Sequence, residues 1–227
     1  MAGDYETHAQ EEILHSDEDE TELTTPIEVL QKLEEAWLNE KFAPELLPYK
    51  GELVDCMLDQ LQHMDQNLRR VKPGDFRIII HKMELDRIQF VLNSYLRIRL
   101  EKIERFGAYL LNLEAQEEAE NIELMSPEEK LFAQQYVGNI EGYLHDTILQ
   151  HMPPNMEHFQ LASVGSKPNL DSYVFFKVLK DTPSLVVEEG ASETRESDII
   201  DLEAGSQHII RYRPVYRLLQ NGTVKLI

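Results

Sequence analysis

Residues 76–106 read FRIIIHKMELDRIQFVLNSYLRIRLEKIERF, a stretch that contains neither proline nor glycine. Its apolar residues recur at spacings of three and four, which predicts one long helix over residues 75–113. They form two stripes, one of Ile80, Met83 and Val91 and another of Leu85, Ile88, Leu92, Leu96 and Ile103. A helix that is apolar on two faces is covered on two sides. We therefore expect its own bundle on one side and a partner chain on the other.

Three further helices are predicted around this central one, over residues 26–40, 50–71 and 127–151. Thr25 and Pro26 suit the cap and first position of a helix. Ser126-Pro127-Glu128-Glu129 has the form of a capping box. Prolines at 44, 73 and 153 end the helical patterns. The pattern predicts an all-α bundle of four or five helices.

Beyond Pro154 the pattern changes to short strands. It has runs of β-branched and aromatic residues at 173–178, 184–187 and 198–202, and Gly205 and Asn221-Gly222 mark turns. The predicted fold is therefore α+β and multi-domain, with a helical bundle followed by a small β-rich domain. The predicted boundaries are a disordered acidic tail at 1–25, the bundle at 26–152, a linker at 153–164 and the β-rich domain at 165–227. A domain of only some 60 residues is marginally stable on its own, so we expect it to dock on the bundle or on a partner.

Charge and composition restrict the function. The formal net charge is −20, from 42 acidic and 22 basic residues, which predicts little direct binding of nucleic acid. Basic or neutral protein surfaces are the expected partners. Cys56 is the one cysteine, which excludes an internal disulfide and favours a reducing compartment. The N-terminus does not resemble a secretory signal, and no apolar run is long enough for a membrane span, so no membrane association is expected.

The tail at 1–25 has nine acidic residues and no lysine or arginine. Glu12, Ile13 and Leu14 lie in a small apolar island that could dock on a partner as a short helix, or could be chance apolar residues in a solvated tail. Ser16 precedes Asp17-Glu18-Asp19-Glu20 and is a candidate phosphorylation site for an acid-directed kinase.

The sequence has no motif of an enzyme or of a metal site. It lacks a glycine-rich phosphate loop, an H-E-x-x-H motif and a cysteine pair. The predicted position of Cys56 within an apolar-rich helix favours an inert thiol. His145, His151 and His158 are six and seven residues apart, which does not match a helical metal site. We therefore predict no catalytic residue, no cofactor and no metal.

Two basic stretches have alternative interpretations. Residues 65–105 are locally positive through Arg69, Arg70, Lys72, Arg97, Arg99, Lys102 and Arg105. These side chains could pair with acidic partner helices, touch DNA, or pair with this chain's own carboxylates, and Arg87 is the best candidate for a buried ion pair. Residues 211–217, RYRPVYR, interleave basic and aromatic residues as nucleobase-stacking surfaces do. A strand with Ile210 and Tyr212 inward and Arg211 and Arg213 outward is the simpler interpretation.

Several strings resemble the Sld-five type of GINS subunit. They are EAWLNEKFAPELL at 35–47, MELDRI at 83–88, VLNSYLRIRLEKIE at 91–104, HMPPN at 151–155, LDSYVF at 170–175, IDLE at 200–203 and GSQHIIRY at 205–212. They follow the family's order across residues 26–227, and the tail, residues 112–125 and residues 181–197 are not covered. The resemblance implies a helical N-terminal domain and a small β-rich C-terminal domain.

The resemblance also implies a non-catalytic scaffold subunit in the nucleus. Its implied partners are three sister GINS subunits, the MCM ring helicase and that helicase's other accessory protein. Replisome hub and polymerase factors are further candidates, since in some relatives the tail binds a trimeric hub. An acidic adaptor of the histone-chaperone kind is the alternative that the charge alone would support, and an enzyme would need an active site that the sequence does not show.

Large aromatic, leucine and arginine residues are typical anchors of such interfaces. The candidate subunit contacts are Trp37, Phe42, Leu46, Ile88, Tyr95, Leu96, Arg97, Arg99, Tyr173, Phe175, Leu226 and Ile227. A position in this chain's own core is the alternative for each of them.

Overall fold

The computed structural model describes residues 26–70, 76–116, 124–153, 161, 165–188 and 198–227. The predictions for the tail, including Glu12, Ile13, Leu14 and Ser16, lie outside these residues, as does most of the predicted linker. In the described part, the N-terminal portion contains α1 (Pro26–Phe42), α2 (Gly51–Arg70), α3 (Phe76–Gln116) and α4 (Pro127–Thr147), then a 3-10 turn at Leu149–His151. The predicted helical bundle is confirmed.

Helix α3 is the centre of the bundle and packs against α1, α2 and α4. Its N-terminal half contributes Leu85, Ile88, Val91, Leu92 and Tyr95 to a core shared with α1 and α2. Its C-terminal half contributes Ile103, Phe106 and Leu110 to a second core beside α4. The predicted stripe of Leu85, Ile88, Leu92 and Ile103 is thus buried, because the other three helices cover this face.

Helix α4 begins with the predicted capping box. The Ser126 hydroxyl accepts a hydrogen bond from the Glu129 N–H at 3.1 Å, and the Glu129 carboxylate accepts one from the Ser126 N–H at 2.9 Å. Two N–H groups that a helix start leaves unpaired are satisfied in this way. Pro127 occupies the first turn, where its missing N–H removes no bond.

The C-terminal portion contains β1 (Tyr173–Val178), β2 (Thr182–Glu188), β3 (Asp198–Leu202), β4 (Gln207–Arg211), α5 (Tyr212–Gln220) and β5 (Val224–Leu226). Strands β4, β1 and β5 form an antiparallel sheet in that order, and β2 pairs with β3. Gly205 (φ 88°) and Gly222 (φ 64°) make the turns before β4 and β5 with backbone angles that favour glycine. The prediction of a small strand-rich domain is confirmed.

The prediction of a strand through residues 211–217 is wrong beyond Arg211, where helix α5 begins. Ile210 and Tyr212 are buried and Arg211 and Arg213 exposed, as two alternating pairs in a strand would be. However, the next buried residues, Val215 and Leu219, follow Tyr212 at spacings of three and four, which is a helical period. Pro214 is compatible with a helix because it lies in the first turn, where N–H groups have no intrahelical partner.

The strand-rich portion docks on the C-terminal end of α1. Asn39 accepts a hydrogen bond from the Leu226 N–H at 2.8 Å, and the Lys225 ammonium lies 3.6 Å from the Glu35 carboxylate. Ala43 and Leu47, which follow from α1, pack into the core of the C-terminal portion. The bundle therefore supplies part of the cover that so small a core needs.

Candidate subunit interface

Five of the predicted contact residues are buried within this chain. Leu46, Ile88, Tyr95, Arg99 and Leu226 are each at most 6% exposed. Leu46 and Ile88 belong to the two bundle cores, and Leu226 belongs to the C-terminal core. These five residues lie in this chain's own core, which was the alternative to a subunit contact. Their side chains have almost no accessible surface with which to contact a second chain.

Arg99 forms a fully buried ionic cluster that joins three elements. It donates two hydrogen bonds to the Glu129 carboxylate, at 2.8 and 2.9 Å, and one to Glu40 at 3.2 Å. Its two remaining N–H groups bond the carbonyl oxygens of Leu47 and Leu124, both at 2.7 Å. All five guanidinium N–H groups are thus satisfied. Burial lowers the pKa of Arg99, but the hydrogen bonds to Glu129 and the charges of Tyr95, Glu40 and Glu129 together raise it.

Lys102 extends this cluster from the next turn of α3. Its ammonium group bonds the Glu40 carboxylate at 2.7 Å and the carbonyl oxygens of Glu40 and Glu45 at 2.5 and 2.6 Å. Burial lowers the pKa of Lys102, against the attraction of Glu40. The cluster therefore fixes the chain between α1 and α2 to the centre of α3.

The prediction that Arg87 forms a buried ion pair is wrong. Its side chain is 49% exposed and pairs with Glu34 at 2.6 Å and Glu84 at 2.7 Å on the bundle surface. Arg87 follows Met83 by four residues and precedes Phe90 by three, so it lies on the same outer face of α3 as these two residues and not in the core. The buried arginine is Arg99, twelve residues later on the same helix.

One face of α3 carries a row of exposed apolar side chains, which we call the α3 stripe. Its members are between 52% and 69% exposed: Phe76, Ile79, Ile80, Met83 and Phe90. Spacings of four, three and seven residues place most of them on one side of the helix. Ile80 and Met83 were predicted to form such a stripe with Val91, but Val91 is buried in the bundle core.

Trp37 and Leu96, both predicted contacts, are half-buried at the bundle surface. The Trp37 ring meets Phe90 edge-on with ring centroids 6.4 Å apart, and its indole N–H bonds the Ser94 hydroxyl at 2.9 Å. Phe42 and Arg97 are exposed. Trp37 thus packs against Phe90, the last residue of the α3 stripe.

A second exposed apolar surface lies on the outer side of the β1–β4 pair, and we call it the sheet face. It consists of Tyr173, Phe175 and Ile209, with Phe175 and Ile209 directly opposite each other across the two strands. Tyr173 and Phe175 were predicted contacts. Ile227 is half-buried beside them, and its N–H bonds the Phe175 carbonyl at 3.1 Å.

Sequence reasoning missed Phe76, Ile79, Phe90 and Ile209. A signal existed for two of them. Phe90 follows Met83 by seven residues, which continues the same helical face. Ile209 precedes the inward-facing Ile210, and alternation in a strand turns it outward.

Two family models match this chain. The model described as "GINS complex protein helical bundle domain" matches residues 48–148, which span α2 to α4. The model described as "DNA replication complex GINS protein SLD5 C-terminus" matches residues 168–227, which include strands β1 to β5.

Curated relatives match along nearly the whole chain. Proteins named DNA replication complex GINS protein SLD5 are 48% identical in Bos taurus and 50% identical in Xenopus laevis, with 93% of this chain and 95% of each relative covered. The protein of that name in Arabidopsis thaliana is 34% identical over 90% of this chain and 92% of its own length. This chain belongs to the SLD5 family of GINS proteins. The predicted resemblance is confirmed.

Among the described residues of this SLD5 family member, no group of three or more His, Cys, Asp or Glu side chains could hold a metal ion, and no helix is long and apolar enough to cross a membrane. Cys56 is exposed on α2, contrary to the expectation of a thiol packed among apolar residues, because the apolar residues of that helix face α1 and α3. The α3 stripe and the sheet face are the prominent features of the surface.

Proposed function

We propose that this chain is a non-catalytic scaffold subunit of a GINS tetramer in DNA replication. In this role it holds three sister subunits and presents docking surfaces to the MCM ring helicase and that helicase's other accessory protein, in the nucleus. Family membership supports the assembly. The observation that carries the scaffold role is the α3 stripe, because the described residues of this chain leave its side chains between 52% and 69% exposed.

The α3 stripe has the properties of a protein interface. Soluble monomers rarely expose contiguous apolar patches of more than a few hundred Å². Two phenylalanines, two isoleucines and a methionine line this one, and aromatic and methionine side chains are enriched in interface centres. The opposite face of α3 is packed into the bundle cores, so the helix is anchored and can present the stripe rigidly. We assign the stripe to a sister subunit.

The sheet face supports a separate contact. Tyr173, Phe175 and Ile209 lie on a three-stranded sheet whose other side is the C-terminal core. Docking on α1 holds this sheet at a defined place relative to the bundle. We assign the sheet face to a different partner from the one that binds the α3 stripe. The MCM ring is the first candidate, and hub or polymerase factors are others.

The experiment is reconstitution of the tetramer with Met83→Glu and Phe90→Glu on the α3 stripe. Each introduces a charge that the interface would have to desolvate, so we expect the variant chain to be lost from the complex on size-exclusion chromatography. The matched control is Lys82→Glu, which lowers the net charge by the same two units at an exposed position off the stripe. Full assembly of the stripe variant would refute the assignment.

A parallel pair of variants tests the sheet face. Phe175→Glu with Ile209→Glu should leave the tetramer intact and weaken its capture of the MCM ring by tenfold or more. The control is Lys180→Glu, which changes the net charge by the same two units at an exposed position beyond the end of β1. Equal capture by both variants would remove the sheet face from the proposal.

A further inference from the structure

A groove of about 830 Å³ lies between the C-terminal end of α1 and the middle of α3. Its lining combines apolar and cationic side chains. Phe90, Ile98 and Phe106 supply the apolar part, and Lys41, Arg97, Lys102 and Arg105 supply the cations. Glu101 is the acid among the lining residues. A site of this composition suits a segment that carries both apolar and acidic side chains.

Three of these cations lack a carboxylate partner within the described part of the chain. Lys102 pairs with Glu40, but no salt bridge links Lys41, Arg97 or Arg105 to a described acid. The Lys41 ammonium lies over the rings of Trp37 and Phe42, at 5.5 and 5.3 Å. The chain has 42 acidic and 22 basic residues, so most of its cations have many carboxylates available to them. Three cations without a salt-bridge partner around one groove therefore make this region more positive than the rest of the chain.

We propose that this groove binds the acidic tail of the same chain, through residues 11–20. That segment reads EEILHSDEDE, with two acids before Ile13-Leu14 and four after Ser16. Ile13 and Leu14 contact Ile98 and Phe106, while Phe90 at the edge of the groove stays with the α3 stripe, and the flanking carboxylates pair with Lys41, Arg97 and Arg105. This assignment gives Arg97 an intrachain partner in place of the sister-subunit contact that its sequence position suggested.

The tail is long enough to reach the groove. Helix α1 has 17 residues, so its C-terminal end lies about 25 Å from Pro26 at a rise of about 1.5 Å per residue. Eleven residues separate Leu14 from Pro26 and span up to about 36 Å when extended, at about 3.3 Å each. A tethered segment has an effective concentration in the millimolar range, so modest affinity is enough for occupancy.

Nucleic acid fits the groove less well than the tail does. A phosphate backbone would satisfy the cations but has no counterpart to Phe90, Ile98 and Phe106. The net charge of −20 would also repel it. The tail meets both requirements, and it does so independently of any sister subunit.

The test is photo-crosslinking in the full chain with p-benzoylphenylalanine in place of Leu14. We expect crosslinks to peptides from residues 90–106, read by mass spectrometry, and within one chain when isotope-labelled and unlabelled chains are mixed. Arg97→Glu with Arg105→Glu should reduce the yield at least fivefold, and 1 M salt should reduce it as well. Arg69→Glu with Arg70→Glu, an equal charge change at the end of α2, should not.

A second variant guards against misfolding of the charge-reversed groove. Replacing Asp17, Glu18, Asp19 and Glu20 with the corresponding amides leaves the groove intact and should cause the same loss of crosslinking. Crosslinks that map elsewhere, or that persist in both variants, would overturn the proposal. It would also be overturned if a fluorescent oligonucleotide bound the chain through Arg97 and displaced the tail, because the groove would then be a phosphate site.

Discussion

The Asn39 side chain accepts a hydrogen bond at 2.8 Å from the backbone N–H of Leu226, a residue 187 positions later. This bond joins the first helix to the last strand. Leu226 is fully buried in the C-terminal core, to which Ala43 of the bundle also belongs. The two portions of the chain are therefore connected through a polar bond at the edge of a shared apolar contact.

Asn39→Ala should loosen this junction. The Leu226 N–H would lose its acceptor at a partly buried site, and an unsatisfied polar group of this kind costs about 1–3 kcal/mol. We expect that loss in the free energy of unfolding, together with faster hydrogen exchange at the Leu226 amide. The control is Glu35→Gln, whose partly exposed pair with Lys225 is worth at most about 1 kcal/mol. Unchanged exchange in Asn39→Ala would contradict the role of the bond.

Arg99→Met should be among the most destabilising substitutions in the bundle. It leaves the buried Glu40 and Glu129 carboxylates without their guanidinium partner, and loss of one member of a buried ion pair costs about 3–5 kcal/mol. Arg97→Met, two residues earlier and exposed, should change stability by less than about 0.5 kcal/mol. Urea denaturation measures both, and similar values for the two variants would contradict the energetic role of the cluster.

Ser126→Ala should destabilise α4 by about 1 kcal/mol, since it removes the acceptor for the Glu129 N–H. The effect is measurable as a lower midpoint in urea. Ser126→Thr keeps a hydroxyl at the cap and should recover most of the loss. If Thr and Ala behaved alike, the capping hydrogen bond would not be the cause.

Glu45 should make stability depend on pH. Burial raises the pKa of Glu45 above its usual value of 4.5, although the Tyr212 hydroxyl and the Lys102 ammonium pull in the opposite direction. The folded chain therefore holds this proton more tightly than the unfolded chain. The resulting stabilisation is complete below the unfolded pKa and is lost as pH rises through the folded pKa.

Glu45→Gln mimics the protonated side chain at every pH. We expect a higher melting temperature than that of the unmodified chain at pH 7 and no difference near pH 4. Thermal unfolding followed by circular dichroism between pH 4 and pH 8 would show this. Glu104→Gln, at an exposed position of α3, is the control for the change of net charge. A lower melting temperature for Glu45→Gln than for the unmodified chain at pH 7 would mean that burial does not destabilise the Glu45 carboxylate.

Local patterns predicted the elements well. The helices began at Pro26 and Pro127 as their caps indicated, and the strands Tyr173–Val178 and Asp198–Leu202 had the predicted bounds. These features depend on a few neighbouring residues, since capping, turn formation and side-chain periodicity act over one or two turns of chain. The exception was α5. Four residues, Ile210 to Arg213, alternate between buried and exposed, and so short a pattern does not distinguish a strand from the start of a helix.

The candidate site was predicted less completely. Tyr173 and Phe175 were recognised and lie on an exposed face, whereas Phe76, Ile79 and Ile209 were missed. Arg87 and Arg99 have similar neighbours in sequence, but Arg99 is the one that is buried. Large apolar and charged residues look alike in sequence whether they line a core or a surface.

Periodicity and capping residues were sufficient to predict a helical bundle followed by a small strand-rich domain, and strings such as EAWLNEKFAPELL were sufficient for the family. Tertiary packing alone decided which face of α3 is covered, which arginine lies at the centre of the bundle, and that the last strand rests on the first helix. The reason is physical. Burial depends on contacts between residues as far apart as Asn39 and Leu226, and local sequence carries no record of such distant neighbours.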